Sequence, residues 1–196
     1  MPYISLLVEG ILDEAVGRRI IQEAGGRVSA VYGKRGAGYI KNKIAGFNNM
    51  AQGVPLLALV DLMDTQIECP VTVVERWIPS RQKQMIFRVV VREIESWLIA
   101  DSVNLASYLR VARKRIPNNP EGLDDPKRKL INIARRSRST EIQRLLVPPQ
   151  DSTATEGIGY TSKLQQFVYN QWDPEAASQR APSLHRCRRA ISQHIQ

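Results

Sequence analysis

LLVEGILDEA, residues 6–15, runs from an apolar stretch into a helical one through a single glycine, with a carboxylate at the junction. The run from Tyr3 to Val8 has strand character. Leu12, Ala15, Val16, Arg19 and Ile20 then recur at helical spacing until Gly25 and Gly26 close the segment. Strand, turn and helix in such quick succession begin a βα unit, and the chain repeats the pattern. Val28–Tyr32 reads as a second strand, followed by the glycine-rich GKRGAGYIKNKI and a helix to about Gln52. VPLLALVDLMD is a continuous apolar run ending in acids, as in a parallel strand buried on both faces. Pro70–Trp77 reads as the next helix and QMIFRVVV as a fourth strand. Alternation of this kind predicts an α/β, three-layer, Rossmann-like domain with a mostly parallel central sheet over residues 1–101.

Helices dominate the remainder, residues 102–196, which we expect to form a basic helical extension. The boundary lies within VVVREIESWLIAD, where periodicity alone does not separate strand from helix. SVNLASYLRVARK precedes the turn IPNNPEG, and in DPKRKLINIARRS Asp125 before Pro126 has the form of an N-cap with proline at the first helical position. The loop VPPQDSTATEGIGY leads to SKLQQFVYNQW, and a last helix starts at Pro182.

With 196 residues the chain is long enough for one well-filled core with an elaboration. Its longest apolar runs are far too short for a membrane span. The opening residues lack a basic region followed by an apolar stretch and a cleavage site, and Cys69 and Cys187 lack paired zinc spacing. The expectation is a cytoplasmic protein with free thiols. A net charge of +9 favours a polyanionic partner, nucleic acid above all. Between Arg110 and Arg144 eleven basic residues face four acids, and Lys127, Lys129, Arg135 and Arg136 are candidate backbone contacts.

In an open parallel sheet, sites form beyond the carboxyl ends of the strands. Glu9 ends the first run, Asp61 the third with Asp64 close behind, and Glu93 and Glu95 follow the fourth. Carboxylates released by three strand ends would form an oxygen-rich cluster suited to Mg²⁺ or Mn²⁺. Such a site activates water against a phosphodiester and stabilises the leaving oxygen. Each acid also has a purely structural reading, as a first-turn helix residue, a cap, or, for Glu95, a partner of Arg92 or Arg88. Asp13 and Asp101 are weaker members of the set. Lys34, Arg35 and Lys41 lie in or beside a glycine-rich stretch that could offer backbone N–H groups to a phosphate, although it matches neither GxxxxGK[ST] nor GxGxxG. His185 and His194 read as surface residues, and Trp77, Trp97 and Trp172 as packing residues.

LLVEGILDEA and LLALVDLMD together resemble the TOPRIM domain, the metal-dependent fold of topoisomerases, primases and OLD-family nucleases. Glu9 stands at the signature glutamate position and Asp61 at the strand carrying the D-x-D motif. VVVREIESWLIAD, DPKRKLINIARRS and GIGYTSKLQQFV further resemble a bacterial group of TOPRIM-like proteins associated with ATPases in phage defence. The resemblance implies that Glu9 acts near the scissile phosphate as ligand or general base, and that Asp61 and a second acid hold Mg²⁺. The chain departs from the motif in having DLMD, with Met63 where the second acid would fall; Asp64, or Glu93 and Glu95, would then complete the site.

The expected activity is therefore metal-dependent hydrolysis of DNA or RNA, with Glu9, Asp61, Asp64, Glu93 and Glu95 as catalytic residues. Glu9, Asp61, Asp64 and Glu95 would be the Mg²⁺ or Mn²⁺ ligands, and an ATPase would be a partner protein. The competing expectation is a non-catalytic TOPRIM-like module that binds nucleic acid or a partner, which Met63 favours.

Overall fold

A computed structural model describes residues 1–195. Four strands, β1 (Tyr3–Val8), β2 (Arg27–Gly33), β3 (Leu56–Asp61) and β4 (Met85–Val90), form one sheet in the order β2-β1-β3-β4, and every pairing is parallel. The connecting helices are α1 (Ile11–Glu23), α2 (Gly36–Met50) and α3 (Pro70–Trp77). This is the α/β architecture with a parallel sheet that the alternating pattern predicts, followed by a helical region. The chain leaves β1 for one neighbour and later returns to the other side, so the strand order reverses between β1 and β3. Open parallel sheets place their sites in the crevice at such a switch point.

Each strand divides its side chains between two helical layers. Leu7 of β1, Leu56, Ala58 and Val60 of β3, and Met85, Phe87 and Val89 of β4 pack with Ile40 and Ile44 of α2 and Val73 and Trp77 of α3. These alternate positions are fully or almost fully buried, which explains why β3 reads as an unbroken apolar run rather than an alternating one. Buried Asn48 on α2 clamps the loop before β4, donating to the Ser80 carbonyl at 2.8 Å and accepting from the Gln82 amide at 3.0 Å. On the opposite face, Gly17 of α1 lets the helix approach β1, since a methyl group there would stand 2.7 Å from a Leu6 methyl carbon.

The chain forms two compact units, Met1–Ile94 with Ser183–Gln196, and Glu95–Pro182. This differs from a division after residue 101 in two respects. The break falls inside α4 (Ile94–Ala100), whose Trp97 is fully buried and whose Trp97 carbonyl accepts from the indole N–H of Trp172 within the second unit. The last helix, α10 (Pro182–Ile195), belongs to the sheet unit rather than to the extension. Arg188 pairs with Glu23 of α1, Ser183 Oγ accepts from the Val91 amide, and a His194 ring nitrogen meets the Lys83 carbonyl at 3.1 Å. Local periodicity marks α10 as a helix but carries no information about the strand it returns to.

The second unit also contains α5 (Ser102–Tyr108), α6 (Pro126–Ala134), α7 (Thr140–Leu146), α8 (Tyr160–Asn170) and α9 (Pro174–Ser178). Asp125 caps α6 as its position before Pro126 predicts, accepting from the Arg128 amide at 2.7 Å. Ser139 and Asp173 cap α7 and α9 in the same way. Leu130, Leu146, Leu164, Phe167 and Trp172 are among its buried apolar side chains. No helix among the described residues is long and apolar enough to cross a membrane.

Candidate functional site

The ends of β1 and β3 lie side by side at the switch point, and a side chain ties them together. Glu9 Oε1 accepts the backbone N–H of Asp61 at 2.7 Å. The main chain around Glu9 is held as firmly. Lys34 N–H donates to the Val8 carbonyl at 2.8 Å and Gly36 N–H to the Glu9 carbonyl at 3.0 Å, lacing the β2–α2 turn onto the end of β1. Gly33, at φ +94°, makes that approach possible, because a Cβ there would lie 2.2 Å from the Val8 carbonyl oxygen.

Around this tie the acids crowd. Glu9 and Asp13 are 8% and 6% exposed, and neither Glu9 Oε2 nor Asp13 Oδ1 has a hydrogen-bond partner. Burial raises Glu9 to about 8; the Asp61 amide opposes the shift, while the neighbouring Asp64 and Asp13 carboxylates add to it. Asp13 rises to about 6, again chiefly through burial, with Asp64 contributing. Like charges in a poorly solvated site stabilise the protonated form, or, equally, attract a cation. Gly10 belongs to the arrangement, since a Cβ at that position would meet Asp13 Oδ2 at 3.0 Å.

Asp61 ends β3 half-buried, and Asp64 lies on an exposed 3₁₀ turn, Met63–Thr65. From this turn Asp64 is near enough for its charge to bear on the Glu9 carboxyl. Met63, at the position of the second motif acid, is 40% exposed. Glu93 is half-buried just after β4. Glu95 lies in the second unit, 5% exposed, where the Tyr160 hydroxyl donates to its Oε1 at 2.9 Å. Asp101 caps α5, accepting from the Asn104 backbone and side chain and from the Asp173 amide at 2.9 Å. Among the described residues no three Asp, Glu, His or Cys side chains converge closely enough to enclose an ion. The donors nevertheless suit Mg²⁺ or Mn²⁺ in kind: all are carboxylate oxygens, and two buried ones lack a partner. Asp13 is the member that sequence reasoning underweighted. Its position one helical turn after Glu9 was the available signal.

The basic candidates are dispersed. Lys34 is 3.0 Å from Glu14, which also pairs with Arg18 at 2.8 Å, so its charge is largely matched locally. With the Lys34 and Gly36 amides spent on β1, the glycine-rich turn offers a phosphate fewer donors than its composition suggests. Arg35 sits over the Tyr39 ring and Lys41 over Trp77. Lys127 pairs with Glu156 and lies over the Tyr160 ring. Arg135, on the surface, donates to Asn132 at 3.0 Å; Arg136 is exposed and Lys129 partly so. Cys69 is exposed and Cys187 buried, both as thiols.

No family model, no curated protein and no solved structure matches this chain.

Proposed function

We propose that this chain is a metal-dependent, TOPRIM-like nuclease that hydrolyses phosphodiester bonds in DNA or RNA, acting with an ATPase partner in antiviral defence. One observation carries the reading: Glu9, locked to the Asp61 amide across the switch point, is buried with Asp13 beside it and the exposed Asp64 carboxylate close enough to bear on both. A fold gains no stability from such crowding, and two carboxyls, Glu9 and Asp13, pushed up chiefly by burial at a strand-end crevice are the mark of a site with a chemical task. Glu9 and Asp64, with Asp13 and Asp61 beside them, would hold Mg²⁺ or Mn²⁺, which when bound supplies electrophilic stabilisation of a phosphoryl oxygen. Glu9 Oε1 is fixed by the amide, which leaves Oε2 as the oxygen that takes up or releases a proton beside Asp64. Glu93 and Glu95 are assigned no separate step, and the basic surface of the helical unit neutralises the nucleic-acid backbone.

A second reading, a TOPRIM-like binding module without catalysis, is favoured by the exposed Met63 in DLMD and by the absence, among the described residues, of three converging ligands. Cleavage of labelled plasmid, single-stranded DNA and total tRNA with Mg²⁺ or Mn²⁺ separates the two. The nuclease reading expects cleavage that is lost in Glu9→Gln and Asp61→Asn while both variants stay folded. Undiminished cleavage by Glu9→Gln overturns it. Calorimetry showing no Mg²⁺ or Mn²⁺ binding that depends on Asp61 leaves the binding module.

A further inference from the structure

The helical unit contains a cleft of about 610 Å³ lined by Ser102, Arg113, Lys114, Ile116, Pro117, Asn118 and Arg180. Its charge is one-sided: two guanidinium groups and an ammonium line it, and no carboxylate does. Asp101 gives the Arg180 charge some support, but its oxygens are engaged by Asn104 and by the Asp173 amide. Ordinary surface arginines are mobile. Those in the cleft are held by the fold. Arg180 Nη1 donates to the Ala100 carbonyl at 3.0 Å and Nη2 to the Pro117 carbonyl, while Arg113 Nε donates to Ser102 Oγ at 3.3 Å.

Arg180, half-buried with both terminal nitrogens donated to main-chain carbonyls, and exposed Arg113, held through Nε alone so that its terminal nitrogens stay available, put two positive charges on one wall. Burial and the proximity of Arg113 both push Arg180 below its ordinary pKa, so the positive charges crowd one another. An anion relieves that repulsion. Of the anions a protein meets, phosphate matches the geometry best, since its oxygens take paired N–H donors from arginine and further bonds from hydroxyl and amide groups. Ser102 and Asn118 supply such groups on the same wall, and the volume falls within the range of small-ligand sites.

We infer that the Arg113, Lys114 and Arg180 cleft is a phosphate-binding site, receiving a phosphate group of a nucleic-acid strand or of a free phosphorylated molecule. The site lies apart in sequence from Lys127, Lys129, Arg135 and Arg136, and the inference does not require the carboxylates at Glu9 to be catalytic.

The test uses the full chain and two probes: a fluorescein-labelled short oligothymidylate followed by anisotropy, and inorganic pyrophosphate followed by calorimetry. Arg113→Gln with Lys114→Gln removes two charges and leaves the Arg180 bonds to the main chain intact. Arg180→Lys keeps the charge and loses the fork. Arg76→Gln with Lys83→Gln removes equal charge from exposed positions elsewhere. The expected result is a loss of affinity of about tenfold or more for the cleft pair, less than about twofold for the control pair, and a salt dependence shallower by about two phosphate contacts in the cleft pair. Loss confined to the oligonucleotide assigns the cleft to a nucleic-acid strand, and loss confined to pyrophosphate assigns it to a free phosphorylated molecule. Equal losses in the cleft and control pairs, or binding of neither probe by the wild type, overturn the inference. Arg180→Lys that is folded by circular dichroism and binds with unchanged affinity overturns the role of the fork.

Discussion

Glu9 Oε1 accepts the Asp61 amide at 2.7 Å across a sequence separation of 52 residues, so the acid that ends β1 is bonded to the residue that ends β3. That bond lies where the strand order reverses, and it makes Glu9 part of the crevice rather than a free first-turn residue of α1. It also partly offsets the burial of the carboxylate, whose other oxygen stays without a partner.

The raised pKa of Glu9 fixes the sign of a pH effect in metal-free protein. A carboxyl that titrates at about 8 when folded and near 4.5 when unfolded binds more protons in the native state across that interval, so stability is full below about 4.5 and falls as pH rises toward 8. Asp13, raised from 3.8 to about 6, adds to the lower part of the same fall. Melting curves in a chelating buffer are expected to show Tm decreasing from pH 5 to pH 8, with a flatter profile in Glu9→Gln. A wild-type Tm that rises over this interval contradicts the assignment.

Tyr160→Phe removes the hydroxyl that donates to buried Glu95. Loss of a hydrogen bond to a buried carboxylate costs about 1–3 kcal/mol. Urea unfolding is expected to report that loss with an unchanged m-value. Glu95→Gln, which keeps an acceptor for the hydroxyl, is expected to cost less than Tyr160→Phe.

Asp101→Ala should behave as a structural lesion. The side chain caps α5 and also accepts from the Asp173 amide, so its removal costs about 2–3 kcal/mol, the sum of a lost cap and an orphaned amide. Denaturant titration measures the loss, and metal affinity measured by calorimetry on the folded variant is expected to match the wild type.

Gly33→Ala places a methyl group against the Val8 carbonyl and forces a side-chain-bearing residue to φ +94°. The backbone strain alone is worth about 1–3 kcal/mol. Because Val8 precedes Glu9, the site should suffer along with the fold. Gly46→Ala, on α2 where a Cβ meets nothing within 4 Å, is the matching control and is expected to be neutral or stabilising in thermal melts.

Arg88 on β4 has a buried Nε without a partner, and burial followed by Arg81, Arg186 and Arg189 weighs against its charge more than Cys187 supports it. Even a buried ion pair is often replaced by apolar side chains without loss of stability, and half-buried Arg88, whose charge burial disfavours, has less to lose than such a pair. Arg88→Met is therefore expected to keep or raise Tm, and the wild type to gain more stability from added sulfate than the variant does.

The helical and strand periods in residues 1–101, with glycine and proline punctuation, were sufficient for a parallel α/β sheet, because a strand buried on both faces must be apolar along its buried length, as β3 is from Leu56 to Val60 before it ends in Asp61. The same local logic located the cap at Asp125 and the start of α10 at Pro182. That Glu9 and Asp61 would meet was legible because neighbouring strand ends in such sheets lie side by side. The tertiary structure decided what spacing does not encode. It carried α10 back to the sheet, bound Glu95 to Tyr160 and Asp101 to Asp173, drew Asp13 into the acidic pocket, and brought Arg113 and Arg180 to one cleft from positions 67 residues apart by number. Periodicity records which face of an element is buried. Which distant groups meet there depends on how the packed elements close on one another, and hydrogen bonds and charges separated by so many residues leave no local trace in the chain.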